Sequence, residues 1–178
     1  MITIVPRRPS GIYLESTHDE AYGVLQGEDR YVKDIMTRDV IISDASLCLK
    51  EAVRTIKDRQ LSILIICLKN EPVLAVTQYD IALNMVESDE HSAFATFHEI
   101  IKKREAVRCH EDALLVDAVR AMLEHHARHI PVVDAKGNAV GALSLMDAMG
   151  AMTPEAAAKW LTKMRRICSK DRSPMLNG

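Results

Sequence analysis

The chain repeats itself, and the repeat is what most restricts its fold. Leu49, Ala52, Val53 and Ile56 stand at i, i+3, i+4 and i+7, the spacing of one apolar helix face. Leu115, Ala118, Val119 and Met122 reproduce that face 66 positions later. Ser46 and Asp112 precede the two helices and are of the residue types expected to cap them. Each helix leads into an apolar, β-branched run, Ile63-Leu64-Ile65-Ile66-Cys67-Leu68 and then His129-Ile130-Pro131-Val132-Val133. Turn residues follow, Lys69-Asn70-Glu71-Pro72 and Asp134-Ala135-Lys136-Gly137-Asn138, and then second strands over 73–76 and 139–143. Thr77-Gln78-Tyr79-Asp80 and Ser144-Leu145-Met146-Asp147 close the units and open further helices, now at an offset of 67. Approach strands are expected at Val40-Ile41-Ile42 and Ala106-Val107-Arg108. The prediction is two like units, each strand, helix, strand, strand, helix.

Composition narrows the class. With 178 residues, 48% of them apolar and 27% charged, the chain can fill a sizeable core. A formal net charge of −2 argues against a nucleic-acid binder. The basic stretch 159–172 suits the solvated face of a helix. No apolar run approaches the length of a membrane span, the longest being Ile63–Leu68, and the first residues lack the order of a secretory signal. A cytoplasmic location is the expectation. Cys48, Cys67, Cys109 and Cys168 form no CxxC pair, which favours free thiols over a zinc knuckle or a disulfide framework. The expected organisation is an N-terminal arm (1–30) draped over the core or a neighbour, a first unit (31–88), a linker (89–97), a second unit (98–153) and a C-terminal helix and tail (154–178).

The second unit, with His129-Ile130-Pro131-Val132-Val133-Asp134, a glycine-bearing turn and Gly141-Ala142-Leu143-Ser144-Leu145-Met146-Asp147, resembles the CBS-domain family. Asp34-Ile35-Met36 resembles that family's entry to a first copy, and the two together resemble its tandem pair, the Bateman module, over residues 31–152. The resemblance implies a mixed α/β (α+β) fold: two β-α-β-β-α units related by a pseudo-two-fold axis with their sheets packed together. It also implies a ligand containing adenosine, either AMP, ADP, ATP or S-adenosylmethionine. Carried over, Ser144 and Asp147, with Thr77 and Asp80 in the first copy, would hold ribose or phosphate. Val107, Arg108, Ile130 and Pro131 would lie against the base, as would Ile41, Ile42 and Leu64 more loosely in the first copy. Arg128 and His129, with Arg108, are cations suited to phosphate, and Gly141 would let backbone approach a ligand.

Simpler roles compete with these. Thr77-x-x-Asp80 and Ser144-x-x-Asp147 also fit a capping box, which needs no ligand. In the first copy Leu74, Ile65 and Leu68 replace the glycine, proline and aspartate of the second, so the second copy is expected to be the stronger site. His125 and His129 stand i, i+4, a metal-binding spacing on a helix, but the helix is expected to end before His129. Met146, Met149 and Met152 suit either core or the seam of a homodimer. The resulting expectation is a non-enzymatic regulatory module that requires no cofactor. It would sense an adenosine-containing small molecule, form a homodimer and act on a downstream protein, with no membrane or nucleic-acid partner. The alternative is a ligand-free scaffold for dimerisation and protein interaction. No nucleophile elbow, P-loop or HExxH points to an enzyme.

Overall fold

The repeat folds into two sheets stacked face to face, with helices on their outer sides. The computed structural model describes residues 1–5, 30–87, 94–102, 105–155, 157, 158 and 162. The first repeat supplies β2 (Ile41–Asp44), α1 (Leu49–Arg59), β3 (Ile63–Leu68), β4 (Glu71–Thr77) and α2 (Gln78–Glu87). The second supplies β5 (Val107–His110), α4 (Leu115–Glu124), β6 (His129–Val133), β7 (Ala139–Ser144) and α5 (Leu145–Gly150). A short helix α3 (Phe97–Ile101) precedes the second repeat and a 3-10 turn (Val32–Asp34) the first. The sheets run β2-β3-β4 and β1-β5-β6-β7, where β1 is Ile2–Ile4. The expected mixed α/β pair is therefore the fold, and its helix, strand, turn and strand succession follows the repeat. The expected helix near 155–167 falls mostly outside the described residues, as does nearly all of the arm and Cys168.

Alternation decides what each strand buries. Leu64 and Ile66 point into the helical side of the first repeat, while Ile63, Ile65 and Ala75 meet Ala142 of the second repeat between the sheets. The hairpin β3–β4 closes through Lys69 and Asn70, both at positive φ, so the turn is two residues rather than four. Pro72 sits inside β4 where the register shifts, a position that tolerates a missing N–H. In the second hairpin Asp134 is the hub: its carboxylate accepts from the backbone N–H groups of Lys136 and Asn138 at 2.8 Å, and Gly137 takes φ 86°.

The helix starts depart from the sequence expectation. α1 and α4 begin after Cys48 and Leu114, and neither has a side-chain cap, so Ser46 and Asp112 do not serve as caps. Backbone from the segment that leads into the other unit serves instead: Leu49 N–H donates to Ala95 O at 3.0 Å, and Leu115 N–H to Arg30 O at 2.8 Å. The leading segments are in fact exchanged. Val32 and Met36 are buried in the core of the second repeat, whereas Phe97 and Ile100 are buried in that of the first. Lys33 adds an ion pair to Asp112 at 2.9 Å, which lowers the aspartate below its ordinary carboxylate value.

The exchange explains Gly141. Thr37 and Ala142 trade backbone hydrogen bonds of 2.9 Å in both directions. A Cβ on Gly141 would lie 2.6 Å from Thr37 O and 3.2 Å from Met36 Sδ. Glycine is required there so that the leading segment can lie against β7. Gly141→Ala is expected to cost about 1–3 kcal/mol, the range for overpacking, read as a lower midpoint in urea denaturation; an unchanged midpoint would contradict this packing role.

The N-terminal arm contributes one element the sequence did not announce. Ile2–Ile4 adds a parallel strand to β5, pairing Ile2 with Val107 and Ile4 with Cys109. Thr3 Oγ1 accepts a 2.9 Å hydrogen bond from Arg108 Nε. Cys109 is buried beneath it, and that burial pushes its thiol up to about 12.

Candidate functional site

One proline opens the site. In the first repeat β2 and β3 pair from Ile41–Leu64 to Asp44–Cys67 without a break. In the second, the equivalent ladder holds only Cys109–Val132 and His110–Val133. Pairing starts just after Pro131, which has no N–H to give to a ladder. Val107 and Ile130 are left unpaired with one another, and both line a cavity of about 420 Å³. Ile65, at the matching place in the first repeat, pairs with Ile42 within an unbroken ladder.

The cavity draws on both repeats. Val107, Ile130 and Pro131 form an apolar wall from the second, with Arg128 and His129 beside them. The first repeat, stacked opposite, contributes Val73, Ala75 and the carboxylate-bearing Asp80. Six of the sequence candidates therefore meet, but not in the grouping by copy that the repeat suggested. Of the two motif aspartates, Asp80 is the one on the wall, whereas Asp147 lies exposed on α5.

The remaining candidates sit elsewhere. Ser144 caps α5, accepting from Asp147 N at 3.5 Å. Thr77 belongs to a reciprocal box: its N–H donates to Asp80 Oδ2 at 2.9 Å and its hydroxyl to the same oxygen at 2.7 Å. Arg108 is drawn to Thr3 and lies 3.8 Å from Glu71 Oε2, away from the cavity wall. Gly141 is taken up by Thr37. Leu64 is fully buried and Ile41 packs against the same core, while Ile42 is 52% exposed.

Tyr79, Glu105 and His125 are among the cavity residues that were not singled out as ligand contacts. Tyr79 is on its wall, with the Arg128 guanidinium 5.6 Å from the ring centroid. Glu105 Oε2 and His125 Nδ1, also at the cavity, form a 3.1 Å pair. The signal for Tyr79 was present, since it lies inside the Thr77-x-x-Asp80 motif. His125 follows the last residue of α4 and His129 begins β6, so the two do not share a helix face.

Electrostatics divide the site. Asp80 offers acceptors on the first repeat. On the second, burial pushes the His129 imidazole below its ordinary value, against the opposing pull of Asp80 and Asp147. His129 Nδ1 is buried and has no hydrogen-bond partner among the described residues. A carboxylate facing an apolar wall, a guanidinium and an imidazole is suited to a ligand with a diol, a flat apolar ring and a polar tail.

Comparison with known proteins agrees with this architecture. The CBS-domain family model matches residues 98–153. The structure is similar to the CBS-domain pair of protein MJ0100 in complex with 5-methylthioadenosine and S-adenosyl-L-methionine, with TM-score 0.53 and 24% identity, covering 66% of this chain and 91% of that one. It is also similar to the CBS-domain protein TA0289 of Thermoplasma acidophilum, with TM-score 0.61 and 17% identity, covering 76% of each chain. An uncharacterised protein of Methanopyrus kandleri is 23% identical over 117 residues, which span 65% of this chain and 59% of that relative. No described helix is long and apolar enough to cross a membrane. Residues 98–153 thus match the CBS-domain family, and the chain as a whole has the fold of the solved CBS-domain pairs.

Proposed function

We propose that this pair is a regulatory, non-catalytic module. It holds an adenosine-containing ligand in the cavity between Asp80 and the unpaired start of strands β5 and β6. The observation that carries the reading is the coincidence of a proline-opened gap with a carboxylate from the opposite repeat. Asp80 accepts hydrogen bonds from the ribose diol, and Val107, Ile130 and Pro131 enclose the base. The volume, about 420 Å³, lies within the range usual for small-molecule sites. The complex formed by the similar MJ0100 pair supports the ligand class. AMP, ADP, ATP and S-adenosylmethionine are the candidates, bound as regulatory ligand rather than cofactor.

Because the walls come from both repeats, a bound ligand favours one packing of the sheets over another, and its effect on a downstream protein equals that difference in affinity. Self-association belongs to the same reading. Leu83 and Val86 on α2 and Met146 on α5 are exposed apolar side chains, Val86 at 84% and Met146 at 78%. Sedimentation at twice the 19.9 kDa chain mass is the expected result. The unpaired Cys48, Cys67 and Cys109 suit a reducing, cytoplasmic setting.

Melting with millimolar AMP, ADP, ATP, S-adenosylmethionine and 5-methylthioadenosine tests the proposal. A ligand at 100 times its dissociation constant adds about 2.7 kcal/mol, a shift of several degrees. No shift with any of them overturns the sensor and leaves a ligand-free dimerising scaffold, the reading that the exposed α2 and α5 side chains favour.

A further inference from the structure

We propose that the N-terminal strand is the brace of the cavity's apolar wall, and that its docking on β5 and the binding of ligand strengthen one another. This rests on the adenosine reading and adds its regulation. The β5–β6 ladder begins only at Cys109–Val132, so Val107 and Arg108 have no partner on β6. On their other side lies β1, which pairs Ile2 with Val107 and Thr3 with Arg108. Among the described residues β1 is therefore the only strand paired with this half of β5. Val107 is also a wall of the cavity. The first repeat shows the contrast. There β2 pairs with β3 along its whole length, and no described strand flanks its other edge. The extra strand stands where the ladder is interrupted.

The contacts of β1 reach both walls. Ile2 N–H donates to Ala106 O at 2.7 Å, which fixes the start of β5. Thr3 Oγ1 accepts from Arg108 Nε at 2.9 Å, and Arg108 Nη1 lies 3.8 Å from Glu71 Oε2. Glu71 begins β4, whose Val73 and Ala75 are on the facing wall. Arg108 thus ties the N-terminal strand to both sheets. Three residues at a chain end, between the exposed Met1 and Val5, belong to the elements that open before the rest of a fold. A ligand packed on Val107 needs that wall in place, so an occupied cavity favours the docked strand. By linkage the docked strand favours the ligand by the same factor.

Amide exchange and calorimetry on the full chain test this, with AMP and 5-methylthioadenosine as probes. Ile4 packs against the core of the second repeat, so Ile4→Asp should expel the strand and Ile4→Val should keep it. Without ligand, Ile4→Asp is expected to speed exchange over 106–109 by about tenfold or more, while 41–44 on β2 and 139–144 on β7 keep their wild-type rates. Affinity for whichever probe binds should fall by about fivefold or more, the lower end of couplings between sites. The same probe should slow exchange over 106–109 in wild type. Thr3→Val removes the hydrogen bond from Arg108 and should fall between wild type and Ile4→Asp; it carries the test if Ile4→Asp does not fold. Unchanged exchange over 106–109 in the strand variants overturns the brace. Faster exchange with unchanged affinity overturns the link to ligand and leaves the adenosine site standing. Binding of neither probe to wild type overturns the adenosine reading and with it the link, and exchange alone then decides the brace.

Discussion

Phe97→Ala is expected to lower stability by about 3–5 kcal/mol, the range for truncating a fully buried phenylalanine. For a chain of this size that is a fall in melting temperature of roughly ten degrees. Phe97 is 0% exposed and is among the largest fully buried side chains described. It precedes the second repeat in sequence but packs with Leu49, Ile56 and Leu64 of the first. The damage should therefore appear in the first repeat. Amide exchange at β3 should accelerate more than exchange at β6, because the cavity left by the ring lies beneath β3. Faster exchange confined to 98–153 would contradict the swapped arrangement of the leading segments. Met36→Ala should show the converse pattern to a smaller extent, since Met36 serves the second core from in front of the first repeat.

The second large effect concerns binding. Asp80→Asn is expected to weaken an adenosine ligand by about tenfold to a hundredfold, the loss of charge-assisted hydrogen bonds worth about 1.5–3 kcal/mol. Asparagine keeps an acceptor for Thr77 N–H, so the helix cap survives in part and the melting temperature should fall only slightly. Asp147→Asn should change affinity less than twofold, because that carboxylate is exposed on α5 and does not line the cavity. This order reverses the one suggested by the repeat, in which the second copy's motif was the stronger. Calorimetry on the two variants decides between them, and a larger loss from Asp147→Asn would move the site out of this cavity.

The features that were legible in the sequence depend on local spacing. The faces of α1 and α4 were visible because burial follows a 3.6-residue period, and Leu49, Ala52 and Ile56 are indeed buried. The hairpins were visible because turn chemistry is local. The helix caps were not, because the acceptor for Leu49 N–H is the backbone oxygen of Ala95, which carries no side-chain signature. β1 was missed for a related reason: three residues show no period, and its partner β5 is distant in the chain. At the site, Pro131 and Asp80 were each identifiable as members of a motif. Their meeting was not, since it exists only once β4 is stacked over the gap between β5 and β6. Gly141 drew attention as a motif glycine that would let backbone approach a ligand, and the backbone that approaches it is that of Thr37.

The most direct test of the account is a crystal structure of the full chain grown with millimolar AMP. The account predicts ligand density between the Asp80 carboxylate and the Val107–Pro131 wall, with the ribose hydroxyls on Asp80. Density beside Ser144 and Asp147, with the proline-opened gap filled by side chains, would contradict it.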